Sequence, residues 1–264
     1  MEKINVIYTG NSYIFKGIFL SALSVLKHTK KPLHFYIMTM SLPEDKDRGL
    51  PINEEQINIL KKYIKDEDEI TLIDVTSSYN KSIKNSKNRR SYYTPYCVIR
   101  LYINEYIKDI DKAIYLDADT MLLQSLELFE KEVDISNYEI GAAMDYLGRF
   151  WVRKDYFNSG VLYINLIKTK ETKVFERAVE LLCRKKFFMA DQSALNNLIK
   201  SRYVLPRRFN EQRPIKEDTI IAHYTKHVYR YWDPLKPWDI ERMHKKNIHA
   251  FDDLYEIYKK EFNL

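Results

Sequence analysis

Short apolar runs alternate with helix-spaced segments through the first 75 residues, and this alternation limits the fold more than any other feature. "INVIYT" (4–9), "LHFYIMTM" (33–40) and "ITLIDV" (70–75) read as buried strands. Between the first two, Phe15, Ile18, Phe19, Ala22, Leu23 and Leu26 recur at helical spacing, and "NEEQINILKKYI" (53–64) is a second helix. Gly10, Asn11 and Ser12 supply the turn and cap after the first strand. The β-α-β-α-β order predicts an α/β fold with a mostly parallel central sheet covered on both faces.

Downstream, "TPYCVIRLYINEYI" (94–107) reads as a helix with Pro95 in its first turn. Strands are expected at 113–116, 139–145, 160–166 and 219–225, and helices at 171–185 and 191–200. The polar, basic segment 77–90 has no hydrophobic period and reads as a mobile surface loop. At 264 residues the chain accommodates one domain over 1–240 with a short helical tail over 241–264, packed on or beside it.

Composition excludes more than it selects. A net charge of +6 tolerates anionic ligands, but no arginine-rich tract or zinc-finger spacing points to nucleic acid. Cys97 and Cys183, each beside apolar residues, are expected to be buried free thiols, as in a reducing compartment. "MEKINVIYTG" enters a strand directly, without a signal-peptide core, so the expected location is cytoplasmic. Only six glycines occur, and neither common glycine-rich phosphate loop is present. A phosphate-bearing ligand would then be neutralised by a divalent metal on hard oxygen ligands.

"AIYLDADTMLL" (113–123) meets that need. Asp117 and Asp119, one residue apart at the exit of a core strand, would point the same way if the chain is extended there. The plainer reading is a surface turn with two solvated acids. In "FNSGVLYINL", Asn158, Ser159 and Gly160 offer short polar groups and bare backbone immediately before a strand. Asp191, followed by Gln192, is either a helix cap or a ligand, and His223 in "IAHYT" is either a core histidine or a third metal ligand.

The ordered set "YLDADTMLL", "FNSGVLYINL", "ADQSALN" and "HYT…KPW" resembles the family 8 glycosyltransferases, retaining enzymes of GT-A (Rossmann-like) fold that include glycogenin and bacterial lipopolysaccharide galactosyl- and glucosyltransferases. The resemblance spans about residues 4–240. It implies a UDP-hexose-dependent hexosyltransferase that moves glucose or galactose from UDP-glucose or UDP-galactose to a glycan acceptor in cell-envelope polysaccharide or lipopolysaccharide synthesis. Asp117, Asp119 and His223 would bind Mn²⁺ or Mg²⁺ on the donor diphosphate, with Ala118 between the two acids. Tyr8, Thr9, Asn11 and Tyr13 would hold uridine. Arg100, Asn158, Asp191 and Gln192 would contact the donor sugar, Asp191 and Gln192 as the catalytic residues, with Ser159 and Gly160 also in the donor site.

Lys236 of "LKPWD" would touch the leaving phosphate, with Lys226 as an alternative because the segment between His223 and Lys236 is long. Gln192 is a poor nucleophile and Asp191 is assigned to sugar hydroxyls, which favours front-face transfer over a covalent intermediate. "VYRYWDPLKPW" suits packing or a lid, and secondarily a peripheral contact at the inner membrane face. The competing readings are a non-catalytic nucleotide-sugar or glycan-binding module and a nucleotidyltransferase. Retention of the acids, Asp191-Gln192 and His223 argues against the first, and "YTGNSY" lacks the glycine-rich loop of the second.

Overall fold

The computed structural model describes residues 2–90, 95–225 and 235–264. Strands β1 (Ile4–Gly10), β2 (Leu33–Thr39) and β3 (Glu69–Asp74) are linked by α1 (Phe15–His28) and α2 (Glu54–Lys61) and pair in parallel. Asn53 and Gln56 close a reciprocal capping box at the start of α2, a device that stabilises a helix by about 1 kcal/mol. A 3₁₀ turn, Pro43–Arg48, stands between β2 and α2.

The segment expected as a loop over 77–90 is ordered. It forms α3 (Thr76–Lys81) and 3₁₀ turns at Ile83–Asn85 and Lys87–Arg90. Tyr79 and Ile83 bury their side chains in the core, so two apolar anchors outweigh a polar composition. Pro95–Tyr102 is a 3₁₀ helix that continues into α4 (Ile103–Tyr106), tighter than the single helix expected over 94–107.

The chain then returns to the sheet centre as β4 (Lys112–Leu116), parallel to β1 on the side opposite β2. β5 (Thr120–Leu122), α5 (Glu127–Glu132), β6 (Ile140–Met144), α6 (Gly148–Trp151) and β7 (Phe157–Asn165) follow. Next come α7 (Leu166–Thr172), α8 (Val174–Arg184), α9 (Ala190–Leu198), β8 (Arg202–Val204), β9 (Ile221–His223), α10 (Ile240–Lys245) and α11 (Asp252–Phe262). The helix expected over 171–185 is divided at Lys173, whose φ of 53° ends α7 and starts α8.

The main sheet has the order β3-β2-β1-β4-β7-β6-β8, and β7 runs antiparallel to both its neighbours. The mostly parallel α/β fold is therefore as expected. β5 and β9 form a separate antiparallel pair, with Thr120 opposite His223. The strand expected over 219–225 shortens to these three residues of β9.

Alternation along β1 divides the core into two layers. Ile4, Val6 and Tyr8 face α1 and α11, whereas Ile7 faces the 95–102 helix, α8 and α9. At the C-terminus, the Phe262 ring packs edge-on against Phe19 at 5.5 Å, and Tyr63 donates to Glu261 at 2.7 Å. Cys97 is only half-buried, at the cleft wall, and Cys183 is exposed because it lies on the outer side of α8, so neither is the fully buried thiol expected; neither forms a disulfide. No helix among the described residues is long and apolar enough to cross a membrane.

Candidate active site

The chain runs outward from β1 through β2 to β3 and then crosses back to β4, so the strand order reverses between β1 and β4. In open α/β sheets this reversal opens a crevice beyond the strands' carboxyl ends. A cleft of about 620 Å³ lies there. Thr9, Gly10 and Asn11 line it from the end of β1, and Asp117, Ala118 and Asp119 line it from the end of β4.

The two acids sit in a tight turn rather than in extended chain, which corrects the alternating geometry expected for them. Thr120 donates both its backbone N–H (3.1 Å) and its hydroxyl (2.8 Å) to the Asp117 carbonyl. The turn still brings both carboxylates to one point, because β5 pairs with β9 and carries His223 alongside. One ligand atom each from Asp117, Asp119 and His223 lie within 4.8 Å of one another. His223 Nε2 is 3.3 Å from Asp119 Oδ1 and 3.7 Å from Asp117 Oδ2.

Two glycines make room for this cluster. A Cβ on Gly160 would enter the His223 ring and stand 2.5 Å from Asp117 Oδ2. A Cβ on Gly17 would stand 2.7 Å from the Ala118 carbonyl, so α1 reaches the acid-bearing turn only without a side chain there.

Charge is balanced around the acids. Lys236 donates to Asp119, and Arg100 donates to Asp117 Oδ1 at 2.9 Å beside the Tyr115 hydroxyl at 2.8 Å. Burial alone would raise Asp119, but the Lys236 ammonium and the His223 hydrogen bond hold it well below the usual carboxylate range. Arg100 is itself buried, lies 4.4 Å over the Tyr115 ring, and donates to the carbonyls of Cys97 and Ser159.

Asp191 behaves differently. Its Oδ2 is 3.0 Å from Arg100 Nε yet accepts no hydrogen bond among the described residues, since that N–H is directed to Cys97. Burial raises its pKa despite the guanidinium. It lies in the first turn of α9 without serving as the cap. Gln192 beside it is fixed at both ends: Oε1 accepts from Ser159 N at 3.0 Å, and Nε2 donates to Asp145 Oδ2 at 3.2 Å.

A polar chain missed by sequence reasoning connects these groups. His223 Nδ1 is 2.9 Å from Asn210 Oδ1, and Asn210 donates to Asn158 Oδ1 at 3.0 Å. Asn158 in turn donates to Asp145 Oδ2 at 3.0 Å. Asp145 ends the predicted strand "EIGAAMD" and was legible as a strand-terminal acid, whereas nothing in the "RFNEQ" pattern singled out Asn210. Asn158, Ser159 and Gly160 lie within β7 rather than before it.

Of the predicted residues, Thr9, Asn11, Tyr13, Arg100, Asp117, Ala118, Asp119, Asn158, Ser159, Asp191, Gln192, His223 and Lys236 all line the cleft. Gly160 lies beneath the acids. The Tyr8 side chain turns away: it is fully buried, and its hydroxyl is 2.8 Å from that of Ser21. Tyr8 is thus a core residue, and a backbone contact is what it can offer a ligand. Lys226 and most of "VYRYWDPLKPW" lie outside the described residues.

Known proteins share the sequence pattern and the fold of this chain. The family described as Glycosyl transferase family 8 matches residues 5–241. A putative glycosyltransferase of Haemophilus influenzae is 28% identical over 99% of this chain and 79% of its own length. The lipopolysaccharide 1,3-galactosyltransferase of Salmonella typhimurium is 24% identical over 90% of this chain and 73% of its own. Against glycosyltransferase GlyA of Streptococcus pneumoniae, 26% identical, the chain spans only 32% of the relative's length. The fold superposes on galactosyltransferase LgtC, solved with donor and acceptor sugar analogs, with a TM-score of 0.68, 19% identity and coverage of 97% of this chain and 96% of the other.

Proposed function

Because the chain belongs to glycosyl transferase family 8 and has the GT-A fold, we propose that it transfers glucose or galactose from a UDP-sugar to a glycan acceptor with retention at the anomeric carbon. The observation that carries this reading is the convergence of Asp117, Asp119 and His223 at the mouth of the β1/β4 crevice, over a glycine whose missing side chain leaves them room. The named lipopolysaccharide galactosyl- and glucosyltransferases among its relatives support a cell-envelope acceptor.

The donor set of two carboxylates and one imidazole fits Mn²⁺ or Mg²⁺, the mixed ligands favouring Mn²⁺. When bound, such an ion neutralises the diphosphate and so stabilises UDP as a leaving group. The chain's own residues would do the rest. Lys236 would add positive charge where the diphosphate departs. Arg100 would stay charged and fixed by its carbonyl and carboxylate partners, with the neighbouring Asp191 carboxylate accepting donor-sugar hydroxyls.

Gln192, a neutral amide and so a poor nucleophile, is held in one orientation by Ser159 and Asp145, which suits it to positioning the sugar. Front-face transfer follows. The bond from the anomeric carbon to the phosphate oxygen breaks while the acceptor oxygen bonds to the same face. The acceptor proton passes to the departing phosphate oxygen.

Calorimetric titration with UDP, with and without Mn²⁺, tests the site, and slow hydrolysis of UDP-glucose or UDP-galactose tests the reaction. We expect both to require the ion, to be lost with EDTA, and to be abolished by Asp119→Ala. UDP binding of equal strength without any divalent ion would overturn the role given to the acids.

A further inference from the structure

The part of the cleft lined by the end of β1 and the Pro43–Arg48 turn is built by residues whose polar groups already have partners. Thr9 Oγ1 is 2.8 Å from the Tyr115 hydroxyl. Asn11 accepts from the Ile14 N–H at 3.0 Å and donates to the Arg48 carbonyl at 2.6 Å. Tyr96 donates to that same carbonyl at 3.0 Å, and the Gly10 carbonyl accepts from Thr39 at 2.9 Å. Among the described residues, the one carboxylate lining this part is Asp45, and its side chain makes no hydrogen bond or ion pair there.

The 3₁₀ turn that carries Asp45 is fastened on several sides. Leu42 N–H bonds the Gly49 carbonyl at 2.8 Å, and Ser12 N–H bonds the Leu50 carbonyl at 3.0 Å. Glu44 pairs with Arg89 at 2.6 Å. Beside it, the Arg48 guanidinium lies 5.2 Å over the Tyr13 ring, giving a flat wall against which a base can stack. Anchored backbone with an uncommitted acceptor is what a recognition contact requires.

Uracil and cytosine differ in a way such an acceptor can read. Uracil carries a hydrogen on N3, whereas cytosine presents a lone pair there. A carboxylate opposite N3 therefore accepts a charge-assisted hydrogen bond from uracil and repels cytosine. Resting on the UDP-sugar reading above, we propose that Asp45 accepts the N3–H of the donor's uracil and sets the preference of this site for uridine over cytidine nucleotides.

Calorimetry on the full chain with Mn²⁺, using UDP and CDP as probes, tests this. Wild type should favour UDP. Asp45→Ala should weaken UDP binding about tenfold, as expected for one hydrogen bond to a charged group, while leaving CDP binding unchanged or stronger. Asp45→Asn can turn an N–H toward N3, so it should shift the UDP-to-CDP ratio toward CDP, which a merely structural role of Asp45 would not do. Unchanged UDP affinity in Asp45→Ala, an equal loss of both nucleotides, or a wild type indifferent to the base would each overturn the assignment. If UDP binds with Mn²⁺ but Asp45→Ala is silent, the Asp45 role alone falls. If neither nucleotide binds wild type, the donor reading falls with it.

Discussion

His223 Nδ1 and Asn210 Oδ1 are 2.9 Å apart, so Asn210 can accept a proton from Nδ1 and leave Nε2, which faces Asp117 and Asp119, to act as a ligand when a cation displaces its proton. The orientation of Asn210 is itself fixed, because its amide N–H₂ group donates to Asn158 Oδ1, which also accepts from Gly160 N–H. Residues behind a ligating histidine typically account for 10–100-fold in metal affinity. Asn210→Ala should therefore lower Mn²⁺ affinity by about tenfold or more, read by titrating UDP binding against the ion. Asn210→Asp keeps the acceptor for Nδ1 but sets a carboxylate oxygen against Asn158 Oδ1, so it should recover only part of the loss.

Gly160 makes a sharper test of the same cluster. Gly160→Ala would place a methyl 2.5 Å from Asp117 Oδ2 and within the His223 ring, so one of the two must leave. Metal-dependent UDP binding should disappear, together with about 1–3 kcal/mol of stability from overpacking. Gly141→Ala is the control, since its Cβ would meet side-chain atoms no closer than 3.3 Å, and it should retain binding.

What the sequence made legible divides along physical lines. Strands β1, β2 and β4 and helix α1 were readable because their apolar residues reflect burial in the two core layers, a property each segment carries by itself, whereas β3, an edge strand with no fully buried residue, was readable from its apolar run alone. Asp117 and Asp119 were readable because acids at a core strand's exit are costly to bury without a role, whereas Asp191 and His223 each had a structural alternative that only the family resemblance outweighed. Asn210 and Asp45 were not, since each matters through partners distant in sequence or through having none. The 77–90 segment misled for a related reason: its order comes from Tyr79, Ile83 and the tertiary bonds of Asn88, and its own composition is polar.

Asn88 can be tested by itself. Its amide nitrogen donates to the carbonyls of Leu182 (2.6 Å) and Lys185 (2.7 Å) at the end of α8, and its oxygen accepts from Phe187 N–H at 2.9 Å. Asn88→Ala would strand these groups where water has little access. We expect about 1–3 kcal/mol of destabilisation in urea denaturation, with nucleotide affinity unchanged in the fraction that folds.

Asp191 should show a conflict between stability and function. Burial raises its folded-state pKa above the ordinary carboxylate value, and Oδ2 lacks a hydrogen bond among the described residues. Between the unfolded and folded pKa values the native state holds more protons, so stability must fall as pH rises through that window. Below the window the carboxyl is neutral in both states and the cost vanishes. Asp191→Asn removes the titration while keeping the shape, and Arg100 retains Asp117. Its melting temperature should match wild type in acid and exceed it on the alkaline side of the window, whereas sugar transfer should drop by about 100-fold, in line with loss of a charge-assisted contact to the donor. A variant less stable than wild type at neutral pH would mean that the Arg100–Asp191 attraction outweighs the burial of the carboxylate.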